Sequence, residues 1–423
     1  MIIKFNDGFF LLKSILKLLV FGMFTINLFN NRILCMDKDK NTGNFNLKHI
    51  INKLNACTEI RKPEYIIFSD YFTSKYCSDI NAFTVFNYYL KHNYNNVFYI
   101  INIESELYQY LNEQNQTNNL IIINMTENIY NNLFHYILNS KIIVQSYVIY
   151  DFQNIINNVP YLKYLYINHG ITYFKTNFIS SELHYVKKEK RNIITSSPYE
   201  YNIFINKFKY SPSYIYKAGI ARYDQYEAIK IDDSEEDCIL VSFTYRMYNS
   251  SVYENSLYKK NLEKLLNSRK LINFLKKRKI NLIYIPHHNE LFLNKTYQQE
   301  KMSYTKIVGQ NNLTKYIKKC SLFITDFSSI SFAFMFLKKP ILFYLIDYND
   351  TVEVKEKKCM DPNNKLYFGN SFLNQTALIK KIKYYVKKKF KIKKSLSKKF
   401  ESVFYYKNNI SERIFNIINL MIS

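Results

Sequence analysis

The stretch Leu322-Phe-Ile-Thr-Asp-Phe-Ser-Ser-Ile-Ser-Phe-Ala-Phe-Met-Phe-Leu337, followed by Lys338-Lys339-Pro340 and the apolar run 341–346 that ends at Asp347, decides how this chain is read. Four apolar residues reach a polar turn, an apolar segment of helical length follows, and a second apolar run begins at once. Continuous apolar strands joined by a helix are the mark of a parallel sheet covered on both faces. Within the turn, Asp326, Ser328 and Ser329 are residue types that favour a helix N-cap. A helix N-terminus with free N–H groups and hydroxyls is also a ready phosphate site. Plain helix capping is the favoured reading of these residues by themselves.

The same alternation extends outward in both directions. Apolar runs at 238–243, 282–285, 322–325 and 341–346 are interleaved with helical lengths, and an acidic linker, 231–237, precedes them. Before the linker, runs at 65–68, 97–101, 120–123, 141–144, 162–167 and 192–194 repeat the pattern, with amphipathic stretches such as 79–91 and 127–138 between them. Two doubly wound α/β domains in tandem, each about 180 residues, follow from this. The ligands of such sheets sit beyond the carboxyl ends of the strands, so two facing sheets enclose a cleft. The expected boundaries are 1–44 for an apolar N-terminal segment, 45–230 and 236–375 for the two Rossmann-like domains, and 376–423 for a basic helical tail. No internal repeat is visible.

Composition narrows the partners. The chain has 423 residues, 48% of them hydrophobic and 22% charged, which permits a sizeable core. Its 40 Tyr and 33 Phe, with no Trp, fit A/T-rich codon usage and are not evidence for stacking on bases. A net charge of +25 points to an anionic partner: nucleic acid, anionic lipid or a phosphate-rich substrate. Only eight of the 59 basic residues are Arg, the residue of bidentate base and phosphate contacts, and no nucleic-acid-binding motif is present. Nucleic acid is therefore set aside. Six scattered cysteines without a CxxC argue against a zinc site or a disulfide framework and fit a reducing compartment, with each Cys as core filler.

Both ends of the chain carry membrane-compatible features. Segment 9–29 is apolar but holds Lys13 and Lys17 on one helix face, and its longest clean apolar stretch falls short of the roughly 20 residues a span requires. An interfacial amphipathic helix is the preferred reading over a packed helix or a true span. Residues 380–399 contain eleven Lys and no acidic residue, so the tail is either a packed helix with a solvated Lys face or an attractor for anionic lipid.

Seven glycines leave no GxGxxG or Walker loop, which removes the usual signatures of dinucleotide and P-loop chemistry. Gly170 and Gly219 follow apolar runs and sit among polar residues, where a backbone turns tightly or approaches a ligand. Asn168-His169-Gly170 directly follows a strand, so His169 is placed as a general base whose unperturbed pKa lies near working pH. A lone histidine after a strand is more often structural. Pro286-His287-His288 ends a strand of the second domain, and one of its imidazoles can face the cleft. Arg222 and Arg246 also fall at strand ends and are candidate phosphate ligands, or else surface ion pairs.

Taken in order, these segments resemble the CDP-glycerol glycerophosphotransferase family. The carriers are Asn168-His169-Gly170-Ile171-Thr172, where the family usually has Trp before its His-Gly, and Gly219-Ile220-Ala221-Arg222-Tyr223-Asp224, similar to Gly-x-Pro-Arg-x-Asp. Phe243-Thr244-Tyr245-Arg246 resembles a Pro-Thr-Trp-Arg strand end, and His287-His288 a His-Pro element. Thr325-Asp326-Phe327-Ser328-Ser329 and the Lys-Pro-Ile-x-Phe-Tyr sequel match the family's most specific signature. Ser69 to Phe72 and Ser78-Asp79-Ile80-Asn81 are similar to its opening strand and helix. The resemblance spans about residues 60–350.

It implies a GT-B fold and transfer of a polyol phosphate, glycerol phosphate first, from a CDP-linked donor to a hydroxyl of a membrane-linked glycan or polymer. CMP would be released in cell-envelope polymer synthesis, such as that of teichoic acids. His169 would take the acceptor's proton; His287, Arg222 and Arg246 would neutralise the diphosphate and CMP. Thr244, Ser328, Ser329 and Asp347 would hydrogen-bond the donor, with Asn168, Gly170, Ile171, Thr172, Tyr245, Thr325 and Asp326 completing the substrate site. No metal or other cofactor is demanded. The expected place is the cytoplasmic face of the membrane, peripherally, beside a lipid-linked or polymeric acceptor. Two rivals remain: a GT-B enzyme using nucleotide sugars for capsule or lipopolysaccharide, and a non-catalytic protein on the same fold.

Overall fold

A computed structural model describes residues 26–27, 33–34, 63–70, 80–124, 129–130, 133–147, 159, 161–174, 191–228, 237–246, 248, 250–287, 290, 304–349 and 361–423. The apolar N-terminal segment and its expected membrane helix lie outside these residues, except that Ile26–Asn27 pairs antiparallel with Ile33–Leu34. Residues 71–72, 78–79 and His288 also lie outside them. Among the described residues no helix is long and apolar enough to cross a membrane.

The first domain is built on β1 (Tyr65–Ser69), α1 (Asn81–Lys91), β2 (Val97–Asn102), α2 (Glu106–Glu113), β3 (Leu120–Asn124), β4 (Ile129–Tyr130), α3 (Leu133–Leu138), β5 (Ser140–Gln145), β6 (Lys163–Tyr166), β7 (Asn192–Thr195), α4 (Pro198–Asn202), β8 (Ile215–Lys217) and α5 (Gln225–Ala228). Its sheet runs β8-β7-β6-β5-β1-β2-β3-β4, and only β4 pairs antiparallel. The central strands are apolar on both faces because helices cover both: Ile66 and Phe68 enter one core cluster, Ile67 the other.

The second domain comprises β9 (Cys238–Val241), α6 (Ser250–Asn255), α7 (Leu257–Leu266), α8 (Arg269–Lys276), β10 (Asn281–Tyr284), β11 (Thr305–Ile307), α9 (Leu313–Lys319), β12 (Leu322–Thr325), α10 (Ile330–Phe336), β13 (Ile341–Tyr344), β14 (Ser371–Phe372) and α11 (Gln375–Lys387). Its six parallel strands run β11-β10-β9-β12-β13-β14, the 3-2-1-4-5-6 order of a Rossmann sheet. Every apolar run singled out in the sequence forms a strand. Within the two sheets the missed strands, β4, β8, β11 and β14, are two or three residues long. Strands that short carry no readable periodicity.

The switch point of each sheet, where strand order reverses, falls between β1 and β5 in the first domain and between β9 and β12 in the second. Ligands of open α/β sheets bind at such points. The stretch 322–337 is therefore the crossover that starts at the second switch point.

The tail divides between the domains. α11 buries Leu378, Ile379, Ile382, Tyr385 and Val386 in the second domain's core. After α12 (Lys394–Glu401), the last helix, α13 (Ile410–Ile422), crosses back and packs along α1. Two residues of the Gly219–Asp224 element receive it. A Cβ on Gly219 would lie 2.9 Å from Ile410, so only glycine lets the helix approach. Asp224 caps the helix, accepting from Ile410 N (3.2 Å), Ser411 N and Ser411 Oγ (2.7 Å each).

One expectation, that each cysteine is core filler, is corrected here. Cys238, opening β9, and Cys320, just before β12, form a disulfide with Cα atoms 4.6 Å apart. Adjacent parallel strands bring together cysteines 82 residues apart, and no spacing rule reads that from sequence.

Candidate active site

Construction of the site begins behind it. Asp70, the residue after β1, is buried and accepts from Ala82 N and Phe83 N (2.9 Å each), Tyr99 Oη (3.0 Å) and Ser146 Oγ. It thus caps α1 from a distant strand end. Burial pushes its carboxyl pKa up, and these hydrogen bonds pull against that shift. The helix it fixes presents Asn81, whose Nδ2 donates to Ile167 O (3.0 Å) and Asn168 O (2.7 Å) and whose Oδ1 accepts from Arg222 N (3.1 Å). One carboxamide therefore positions both the loop carrying His169 and the turn carrying Arg222.

That loop is unusual at its first residue. Asn168 has φ 56°, the left-handed region that Asn tolerates better than most residues. Its Oδ1 accepts from His169 N (3.0 Å), and its Nδ2 donates to Thr172 Oγ1 (2.9 Å) and Glu200 Oε1 (2.8 Å). Glu200 Oε1 also accepts from Thr172 N (2.8 Å), while Oε2 accepts from Ser196 N (2.6 Å). His169 stacks on Tyr147, ring centroids 4.1 Å apart and planes 12° apart. The imidazole is thus held on a scaffold in which every loop residue from 168 to 172 is buried or half-buried.

Glu200 was not singled out in the sequence, although Ser197-Pro198-Tyr199-Glu200 has capping-box spacing. Ser197 Oγ accepts from Glu200 N (3.0 Å), as in such a box, but the carboxylate is turned to the histidine loop. Complete burial pushes its pKa from 4.5 up to about 7. The folded chain therefore holds a proton that the unfolded chain releases near 4.5, so stability falls as pH rises from about 4.5 to 7. The full effect is on the order of 3 kcal/mol. In Glu200→Gln this contribution is gone, and thermal unfolding midpoints recorded between those pH values should show a flatter dependence. An unchanged slope would refute the assignment.

In the second domain, Asp326 does not cap α10. Its carboxylate accepts from Thr244 N (3.0 Å) and Thr244 Oγ1 (2.8 Å) and pairs with Arg246 Nη2 at 2.9 Å. Arg246 grips Asp347 bidentately through Nε and Nη2 (2.7 and 2.8 Å) and donates from Nη1 to Thr244 O (2.7 Å). Arg246 is 2% exposed, and its guanidinium lies over the rings of Phe327 and Tyr258. Burial alone would lower its pKa; Asp347 and Asp326 outweigh burial and keep it raised. Arg246, Thr244 and Asp347 are among the residues expected to bind the donor directly. Their polar atoms are engaged with one another, and together they brace the loops after β9, β12 and β13. Thr325 is fully buried, and among the described residues its hydroxyl has no partner.

A further brace supports His287. Buried Glu290, another residue the sequence reading passed over, accepts from Tyr284 Oη (2.8 Å), Tyr253 Oη (3.1 Å) and Tyr258 Oη (3.2 Å), and its N–H donates to His287 O (2.8 Å). His287 stacks on Tyr245 at 5.1 Å. Each candidate histidine thus leans on a tyrosine from its own domain.

The domains meet where Gly170 faces Ser329. A Cβ on Gly170 would stand 3.1 Å from Ser329 Oγ and 3.8 Å from Arg222 Nη2. His169, Gly170, Ile171, Thr172 and Phe174 line a small crevice with Phe327 and Ser329. Ser329 occupies the N-cap position of α10 without making a side-chain cap. Ser328 Oγ, by contrast, accepts from Ile330 N at 3.3 Å. Of the expected site residues, His169, Gly170, Ile171, Thr172 and Ser329 converge on this crevice, with Arg222 beside Gly170. Thr244, Tyr245, Arg246, His287, Thr325, Asp326, Ser328 and Asp347 are not among its described lining.

The sequence profile of CDP-glycerol:poly(glycerophosphate) glycerophosphotransferase matches residues 50–420. The chain belongs to this family. The minor teichoic acid biosynthesis protein GgaB of Bacillus subtilis (strain 168) is 26% identical over 279 residues, which are 60% of this chain and 29% of GgaB. The chain thus covers less than a third of that relative. Among solved structures, the wall teichoic acid polymerase TagF superposes with a TM-score of 0.59 at 16% identity, over 89% of this chain and 93% of that one. A putative UDP-N-acetylglucosamine 2-epimerase from Listeria monocytogenes gives 0.56 at 12% identity, over 85% and 96%. At such identities the likeness is one of fold, and it makes this family member's two facing Rossmann-like domains a GT-B arrangement.

Proposed function

We propose that this glycerophosphotransferase family member moves glycerol phosphate from CDP-glycerol to a hydroxyl of an envelope polymer and releases CMP. The observation that carries this reading is the approach of the His169–Gly170 loop, with Arg222 beside it, to Ser329 across the crevice at the second domain's switch point. Residues 45–230 form the acceptor half and 236–375 the donor half. His169 takes the proton from the attacking hydroxyl as its oxygen bonds to the donor's β-phosphorus and the bond to the CMP oxygen breaks. Arg222 and the Ser329 hydroxyl stabilise charge spreading over the phosphoryl oxygens, and His287 serves the CMP side. The buried Arg246–Asp326–Asp347 group holds Phe327 and the Thr244 loop in place behind them.

Incubating the full chain with CDP-glycerol, CDP-ribitol and a UDP-sugar, with bacterial membranes as acceptor, tests the reading. CMP should appear with CDP-glycerol and not UDP with the sugar nucleotide. The reverse result supports the glycosyltransferase alternative, whose fold this chain equally shares.

The same reading places the enzyme at the cytoplasmic face of the membrane, peripherally, where a lipid-linked acceptor would be met. Nine of the eleven lysines between 380 and 399 are exposed. Lysine near an anionic leaflet contributes about 1 kcal/mol each, screened by salt. Co-sedimentation with phosphatidylglycerol vesicles at low salt, lost at about 0.5 M salt, is the expected outcome; equal binding to neutral vesicles counts against it.

A further inference from the structure

Phe174, five residues beyond His169, leaves its own domain. Its ring lies 5.3 Å from Phe332 and 5.4 Å from Tyr367, stacked on both, and 6.0 Å from Phe343. Phe332 belongs to α10, three residues past Ser329; Phe343 belongs to β13; Tyr367 precedes β14. All three are buried, and Phe174 itself is 6% exposed. The ring is an apolar pin from the first domain seated in the second.

The backbone gives this pin mechanical meaning. Thr172 N is fixed to Glu200 in the first domain, and Phe174 is fixed in the second. Two residues of chain span at most about 7 Å. The domains therefore cannot separate by more than a few ångström without unseating the ring or breaking the Glu200 bond. A seated ring and a His169 loop held against Ser329 are two aspects of one arrangement.

We propose that Phe174 is a positioning residue, tying the His169 loop to the donor half so that His169 and Ser329 reach working separation together. The inference rests on His169 acting as base in the reaction above. It assigns Phe174 no contact with the reacting atoms.

The test uses Phe174→Ala, Phe174→Leu and Phe332→Leu in the full chain. With CDP-glycerol, kcat in Phe174→Ala should fall about 30-fold while donor KM stays within about threefold, because donor-binding groups are untouched. Leucine should recover part of the loss. Combining Phe174→Ala with Phe332→Leu should add little to the first change, since both remove one contact. A second measurement needs no turnover: amide exchange in peptide 168–174, without donor, should quicken at least tenfold in Phe174→Ala. Unaltered kcat in a folded Phe174→Ala, fully additive losses, or unchanged exchange would each overturn the proposal. If the alanine variant does not fold, the leucine variant is judged by the same criteria. If the wild type releases no CMP, the functional reading fails, and exchange alone decides whether the pin exists.

Discussion

Alanine at position 169 should lower CMP release from CDP-glycerol by about a hundred- to ten-thousandfold, the range a positioned general base supplies. The imidazole stands where the proposed reaction needs a base, at the carboxyl end of β6, lining the crevice with Ser329 opposite. Donor affinity should change little, since the groups proposed to hold the phosphates, Arg222 and Ser329, lie on other elements. The fold should survive as well. His169 stacks on Tyr147, and the loop's anchors run through Asn168, Thr172 and the backbone to Asn81 and Glu200, none of which is removed. Loss of one aromatic stack is worth about 0.5–1.5 kcal/mol. Steady-state CMP release, with calorimetric titration of CDP-glycerol, separates these effects. Full turnover in the alanine variant would remove His169 from the role of base.

The prediction depends on how well a single sequence locates a side chain. The strand ends were legible because a parallel sheet writes continuous apolar runs, and each polar residue that breaks such a run stands at the ligand edge. His169 and Ser329 stand at such breaks, after β6 and β12. What the pattern could not show is which polar groups are consumed by one another. Asp326 reads as an N-cap because Asp followed by Ser before an apolar helix has that local signature. Its carboxylate goes instead to Thr244 and Arg246, some 80 residues earlier in the chain. The supporting carboxylates failed for the same reason. Asp70 caps a helix from a distant strand end, and Glu290 collects hydroxyls from three tyrosines on three elements. Glu200 alone left a local trace, its capping-box spacing, and even there the fold turned the carboxylate toward another loop.

The buried guanidinium carries the largest expected effect on stability. Arg246 is enclosed by Asp347 on one edge and Asp326 on the other, with the Thr244 carbonyl closing the Nη1 side. Bringing three charges out of water is unfavourable, and mutual attraction offsets that only while all partners are present. Arg246→Ala leaves two carboxylates facing each other in an apolar setting, with Phe327 and Tyr258 no longer supported by the cation. Breaking a buried pair in this way costs about 3–5 kcal/mol. Arg246→Lys should recover only part of it, because a compact ammonium cannot grip Asp347 bidentately while reaching Asp326 and the Thr244 carbonyl. The urea midpoint of the second domain's transition should therefore rank wild type, then lysine, then alanine. Activity should follow the same order, since Phe327 lines the crevice and the Thr244 loop would be released with it. An alanine variant as stable as the wild type would mean that the two carboxylates are held by groups other than Arg246. Retained activity in a destabilised variant would mean that the brace serves the fold alone.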